Sequence, residues 1–215
     1  LPFSLKATEH ESNEKGGHMK FDGTDINLSL PGDFSLKNAL AAATLCKALG
    51  VNTDIIKRAL ENMTLIPGRA EKIVAGQPFD VVVDYAHTPD SLTALYEAYK
   101  NTRKICVLGS TGGGRDEWKR PVMGQIADKY CDTVILTNED PYDEDPEAIV
   151  RQLRTDMRRE PEIIMDRRAA IRYALEVAKN TDAVLITGKG TDPNICVEKG
   201  KKIPWSDAQV AREEI

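Results

Sequence analysis

The chain has 215 residues, 41% hydrophobic and 29% charged, enough for one ordinary domain, a smaller attached piece and a core that folds without staples. Its net charge of -5 and pI near 5.4 argue against a nucleic-acid partner, which needs Lys and Arg clustered toward phosphates. No run approaches the roughly 20 apolar residues of a membrane span, and Leu1–Lys15 lacks the basic flank and apolar core of a secretion signal, so no membrane partner and a cytoplasmic location are expected.

Residues 1–19 are polar and irregular and read as the cut end of a longer chain. The alternation in Lys20–Leu30 predicts a short hairpin or edge strand closed by Pro31-Gly32. From Ser35 onward, Leu36, Ala39, Leu40, Ala43, Leu45 and Leu49 recur at three- and four-residue spacing, which predicts a helix stopped at Gly50. A second short helix is expected over Thr53–Asn62. Pro67-Gly68-Arg69 breaks this helical section, so a domain boundary is expected here, dividing residues 1–68 from 69–215.

Beyond it, short apolar runs alternate with amphipathic stretches. Val81–Val83, Lys104–Leu108, Thr133–Leu136, Glu162–Met165 and Ala183–Ile186 predict buried strands, too apolar to be half exposed. Pro89 and Pro146 suit a first helical turn after the caps Thr88 and Asp145, and Asp166 is a third cap. The basic residues of Arg151–Arg159 fit a solvated helix face. Strict alternation predicts an α/β, Rossmann-like, doubly wound and mostly parallel sheet of five or six strands, with residues 1–68 as a small attached α+β segment. The four cysteines show neither zinc spacing nor a disulfide framework and read as buried free thiols.

In such a sheet ligands gather at the carboxyl ends of the strands. Four polar clusters fall there: Asp84-Tyr85-Ala86-His87-Thr88-Pro89-Asp90, the glycine-rich Gly109–Asp116 followed by Lys119 and Arg120, Asn138-Glu139-Asp140-Pro141-Tyr142, and Gly188-Lys189-Gly190-Thr191-Asp192. Each has a plainer reading, as helix caps (Asp84, Asp90), a satisfied loop histidine (His87) or a solvated acidic turn (Glu139–Asp145). Neither the dinucleotide fingerprint nor a Gly-x-x-x-x-Gly-Lys-Ser/Thr phosphate loop occurs in these 215 residues.

The segment from Val81 to Ser91 resembles the hallmark of the Mur ligases, specifically their MurE branch, the UDP-N-acetylmuramoyl-tripeptide synthetases. The resemblance continues in register through Pro67-Gly68-Arg69, Arg115-Asp116 with Lys119–Gly124, and Gly188-Lys189-Gly190. Phe34–Ala42 is similar to the end of that family's central domain. The resemblance implies an ATP- and magnesium-dependent ligase that phosphorylates a carboxylate of a UDP-MurNAc-peptide, after which a free amino acid's amine attacks the acyl phosphate. It also implies that the parts holding magnesium and the triphosphate lie in a region this chain does not contain, so that the chain alone should not catalyse.

Carried over residue by residue, the resemblance puts Asn38 against the adenine, Arg69 near the phosphates and Asp84 on the ribose hydroxyls, with His87 on the same nucleotide side. Arg115 would take the incoming amino acid's carboxylate, with Glu139, Asp140, Tyr142, Gly188 and Asp192 around the amino acid. Three positions depart from the family pattern. Ser35 stands for an asparagine, Thr191-Asp192 for His-Glu, and Glu139-Asp140-Pro141-Tyr142 for Asp-Asn-Pro-Arg. Tyr142 offers no charge and three carboxylates would make the pocket acidic, so lysine, ornithine or a similar diamine is expected rather than diaminopimelate; the alternative is that Glu139 and Asp140 face solvent and Lys119 or Lys189 receives a distal carboxylate. The alternatives are another Mur-like ligase of the folylpolyglutamate or cyanophycin synthetase type, and a stand-alone module that binds a nucleotide or amino acid.

Overall fold

The computed structural model describes residues 7–114 and 116–215. The chain up to Ile66, with Glu97–Tyr99, forms one compact unit, and Pro67–Tyr96 with Lys100–Ile215 forms the second.

In the first unit, β1 (His10–Asn13), β2 (Gly16–Phe21) and β3 (Thr24–Leu28) make an antiparallel meander in the order β1-β2-β3. The expectation of an irregular stretch up to residue 19 is thus corrected: His10–Met19 is mostly strand. The hairpin lies earlier than expected, because Asp22-Gly23, both at positive φ, makes the two-residue turn that a right-handed twist favours. One face of the meander, through Met19, Phe21, Ile26 and Leu28, packs on α1 (Asp33–Ala48) and α2 (Thr53–Glu61) through Leu36, Ala39, Ala43, Ile56 and Leu60. Leu45 and Leu49, expected on the same buried stripe, are exposed.

The second unit is an α/β fold with a six-stranded sheet. Its strands are β4 (Glu71–Lys72), β5 (Asp80–Asp84), β6 (Lys104–Leu108), β7 (Thr133–Leu136), β8 (Glu162–Ile163) and β9 (Ala183–Thr187). Their order is β4-β5-β9-β6-β7-β8, and all pairings are parallel except β4 with β5. The connecting helices are α3 (Pro89–Ala98), α4 (Lys119–Tyr130), α5 (Pro146–Arg154) and α6 (Arg167–Glu176). A short ribbon of β10 (Asn194–Cys196) and β11 (Lys202–Pro204) leads to α7 (Asp207–Glu214).

Val81, Val83, Ile105, Val107, Ile135, Val184 and Ile186 share one sheet face and pack on Ala170, Ile171 and Ala174 of α6 and Ala208 and Ala211 of α7. Val82, Cys106 and Leu185 have the opposite parity and are as fully buried, and α4 lies against β6 and β7. Burial on both faces explains the unbroken apolar runs, each large side chain contributing about 1.5–3 kcal/mol. The caps form as expected: Asp145 accepts from the Glu147 amide, Asp166 from the Ala169 amide, and Thr88 and Ser91 cap one another reciprocally.

Two further expectations fail. The run Glu162–Met165 yields only the two-residue exposed strand β8, which lies at the edge of the sheet. Cys106 and Cys131 are joined as a disulfide, with Cα atoms 6.2 Å apart, while Cys46 and Cys196 are free. Twenty-five residues separate the pair, and only the packing of the end of α4 beside β6 brings them together.

Candidate ligand site at the carboxyl edge of the sheet

The chain leaves β5 for β6 but skips one position, and β9, the last parallel strand, fills the gap. Parallel pairing of Asp84 with Thr187 and of Leu108 with Leu136 sets the ends of β5, β9, β6 and β7 along a single edge. Such a reversal of strand order opens a crevice where strand-end loops can converge.

On the β5 side, Asp84 is buried and accepts from the amides of Ala70 (2.6 Å) and Ala86 (2.7 Å), one on each carboxylate oxygen. Burial raises its pKa above the ordinary value, and those two amides oppose the shift. Each oxygen has a further lone pair, which suits vicinal hydroxyl donors. Exposed Arg69 lies over the Tyr85 ring at 4.7 Å, with its guanidinium open to an anion. His87 Nδ1 lies 2.7 Å from the Tyr85 carbonyl, which can only accept, so that nitrogen carries a proton. The turn carrying Arg69 packs closely on the β9 loop: a Cβ on Gly68 would lie 2.5 Å from the Gly190 carbonyl carbon.

On the β7 side, Glu139 and Asp140 are both buried, so the solvated-turn reading does not hold. Glu139 Oε1 accepts from Thr111 (2.8 Å), while Oε2 has no hydrogen-bond partner among the described residues. Burial raises the Glu139 pKa, partly offset by nearby Arg167. Gly188, at φ +108°, passes so close that any Cβ would meet Oε2 at 2.2 Å. Lys189 spans the two loops, donating to Asp140 (2.6 Å) and to Asp192 (2.9 Å). Burial alone would lower its pKa, and the two carboxylates outweigh that and hold it above the usual lysine value. Asp140 also accepts from the Cys196 amide (2.7 Å). The premise of a pocket lined by three free acids is therefore corrected: Asp140 and Asp192 share the Lys189 ammonium, whose single positive charge offsets one of their two negative charges, and burial raises the Glu139 pKa.

Tyr142, at φ +52°, has its ring against Gly113 and donates its amide to the Cys196 carbonyl. The glycine-rich loop is tied to α5: Arg120, fully buried, donates to the Thr111 carbonyl (3.0 Å), to Gln152 (2.6 Å) and to Glu144 (2.9 Å), and the Gly114 amide donates to Glu144. Arg115 lies outside the described residues. Asn38 is in the first unit, exposed on α1, and Ser35 there donates to the Pro31 carbonyl at 2.6 Å.

The edge thus gathers Arg69, Asp84, His87, Glu139, Asp140, Tyr142, Gly188 and Asp192 within one unit. Sequence reasoning missed Arg167, Asp207 and the bridging role of Lys189. Asp166-Arg167 signals only a helix start, and the partners of Arg167 lie 20 to 40 residues away. Among the described residues no three His, Cys, Asp or Glu side chains group as metal ligands, and no helix is long and apolar enough to cross a membrane.

Residues 68–190 match the family model described as Mur ligase, glutamate ligase domain. The chain is 42% identical over 195 residues to a UDP-N-acetylmuramoyl-L-alanyl-D-glutamate–2,6-diaminopimelate ligase of Syntrophomonas wolfei, covering 87% of this chain and 40% of that protein. It is 41% identical over 201 residues to a UDP-N-acetylmuramyl-tripeptide synthetase of Roseiflexus, covering 89% and 39%. A solved UDP-N-acetylmuramoyl-L-alanyl-D-glutamate–2,6-diaminopimelate ligase superposes with TM-score 0.66 at 26% identity, over 99% of this chain and 45% of its own. The chain therefore spans about two fifths of the length of these relatives. With more than half of its residues matched by the family model, and its strand-end loops gathered on one edge, the chain belongs to the Mur ligase family.

Proposed function

We propose that this chain is the carboxyl-terminal part of an ATP-dependent ligase that joins a free amino acid to a UDP-MurNAc-peptide in peptidoglycan synthesis. The observation that carries the reading is the division of one sheet edge into two halves. One half has the chemistry for a nucleoside and an anion, in Asp84, His87 and Arg69. The other has buried, cross-braced carboxylates, in Glu139, Asp140 and Asp192. The relatives named above support the substrate class.

In this reading Asp84 accepts the ribose hydroxyls and Arg69 meets the nucleotide's phosphates. Arg115 takes the amino acid's α-carboxylate, and the loops at Glu139, Tyr142 and Gly188 orient its amine toward the activated acyl carbon. Orientation of that kind can replace a large part of the barrier of a bimolecular attack. The amine gives up a proton, the new C–N bond forms and phosphate leaves. The magnesium ligands and the triphosphate clamp are assigned to the rest of the ligase, since neither a phosphate loop nor a ligand cluster is found in the described residues. A cytoplasmic location fits the nucleotide substrates.

The test is phosphate release by the full-length ligase carrying this domain, dependent on both a UDP-MurNAc-dipeptide and an amino acid, with the isolated chain inactive under the same conditions. Full-length protein that releases phosphate with neither substrate requirement would reject the reading.

A further inference from the structure

Arg167 opens α6 and its side chain is 1% exposed, as deep as any core leucine. Its guanidinium makes a two-pronged pair with Asp207 of α7, Nε to Oδ1 at 2.8 Å and Nη2 to Oδ2 at 2.6 Å. Trp205 Nε1 donates to the same Asp207 at 2.7 Å. Two further N–H groups donate to backbone carbonyls, Nη2 to Thr187 at 2.8 Å and Nη1 to Asn138 at 3.3 Å. Those carbonyls immediately precede Gly188 and Glu139.

A buried ion pair is an expensive way to stabilise a core, and well-packed apolar residues of similar volume often do as well or better. What apolar residues cannot do is hold two carbonyls at a set spacing. A lysine could not do so either, because a point charge lacks the planar fork. The guanidinium also sits close enough to Glu139 to oppose the effect of burial on its carboxyl. We propose that Arg167, held by Asp207, is a positioning residue of the amino-acid half of the site, setting the separation of the strand ends that carry Glu139 and Gly188. The inference rests on the ligase reading for its functional consequence, while its structural content stands apart from it. It also makes α7 part of the site's support.

The experiment uses the full-length ligase with Arg167→Lys, Asp207→Asn and the apolar pair Arg167→Met with Asp207→Leu. The last variant guards against simple unfolding, since it removes both charges at once. In variants that melt cooperatively, the amino-acid KM is expected to rise at least about tenfold, while the ATP KM stays within about twofold. Amide exchange should quicken in residues 137–142 and 187–192 and not in residues 67–70. Unchanged amino-acid KM in folded variants, or equal rises in both KM values, would overturn the proposal. If the wild-type ligase shows no amino-acid-dependent phosphate release, the functional reading fails, and the exchange pattern still decides whether Arg167 positions the two loops.

Discussion

Gly188 passes so close to Glu139 that a single added methyl group would lie 2.2 Å from the Glu139 carboxylate oxygen Oε2. The contact joins the β9 loop to the β7 loop at the point where the amino acid is proposed to bind. Gly188→Ala would force both a strained positive φ, costing about 1–3 kcal/mol, and displacement of a buried carboxyl. The expected outcome is a lower urea midpoint together with a raised amino-acid KM in the full-length ligase. A variant with wild-type midpoint and KM would show that the loop relaxes freely.

Glu139 offers a pH test. Its pKa is raised in the folded state by burial, so the folded protein holds this proton more tightly than the unfolded chain. Its stabilising contribution is therefore complete below the unfolded value of about 4.3 and is lost as pH rises through the folded value. Glu139→Gln keeps the acceptor for Thr111 and removes the titration. Across that window the stability of the glutamine variant should gain on wild type by at most about 1.4 kcal/mol per pH unit, levelling off above it. Urea denaturation at a series of pH values measures the difference, and parallel curves would contradict the assignment.

In the proposed site, Tyr142 stands where the family pattern has arginine, and Lys189 offsets one of the two negative charges of Asp140 and Asp192, so neither a distal ammonium nor a distal carboxylate is strongly favoured. The full-length ligase should therefore discriminate between lysine and diaminopimelate by less than about tenfold, or 1.4 kcal/mol. Tyr142→Arg supplies a charge-assisted partner for a second carboxylate and should shift the preference toward diaminopimelate by about tenfold. A competition assay with both amino acids decides this, and strong discrimination by wild type would refute it.

The half proposed to hold the nucleotide has its own brace. Arg212 of α7 donates to Glu71 at 2.7 Å, and the other oxygen of Glu71 accepts from the Gly68 amide at 2.9 Å, next to Arg69. Arg212 is half exposed, so Arg212→Ala should cost no more than about 1 kcal/mol of stability. Its signature should be a severalfold rise in ATP KM with the amino-acid KM within about twofold, the reverse of the pattern expected at Arg167. An unaltered ATP KM would count against a role for this brace.

Some of this is determined by the sequence acting locally. Asp145 and Asp166 cap because a short acceptor side chain can reach amides two or three residues ahead wherever the rest of the chain goes. Val81–Val83 and Ala183–Ile186 are strands because runs so apolar are stable only with both faces covered. Strand direction then follows from the intervening helices, which is why the polar clusters at Asp84, Glu139 and Gly188 could be assigned to one edge. Tertiary structure decided what those groups face. The insertion of β9 between β5 and β6 brings Gly188 to Glu139 and Lys189 to Asp140, 49 residues away. That contact turns an apparent cluster of free acids into one braced and partly compensated by a lysine. The Arg167–Asp207 pair and the Cys106–Cys131 bond have the same origin. Charge and thiol pairing over such separations depend on distances that only the packed sheet sets, and no local pattern of residues carries them.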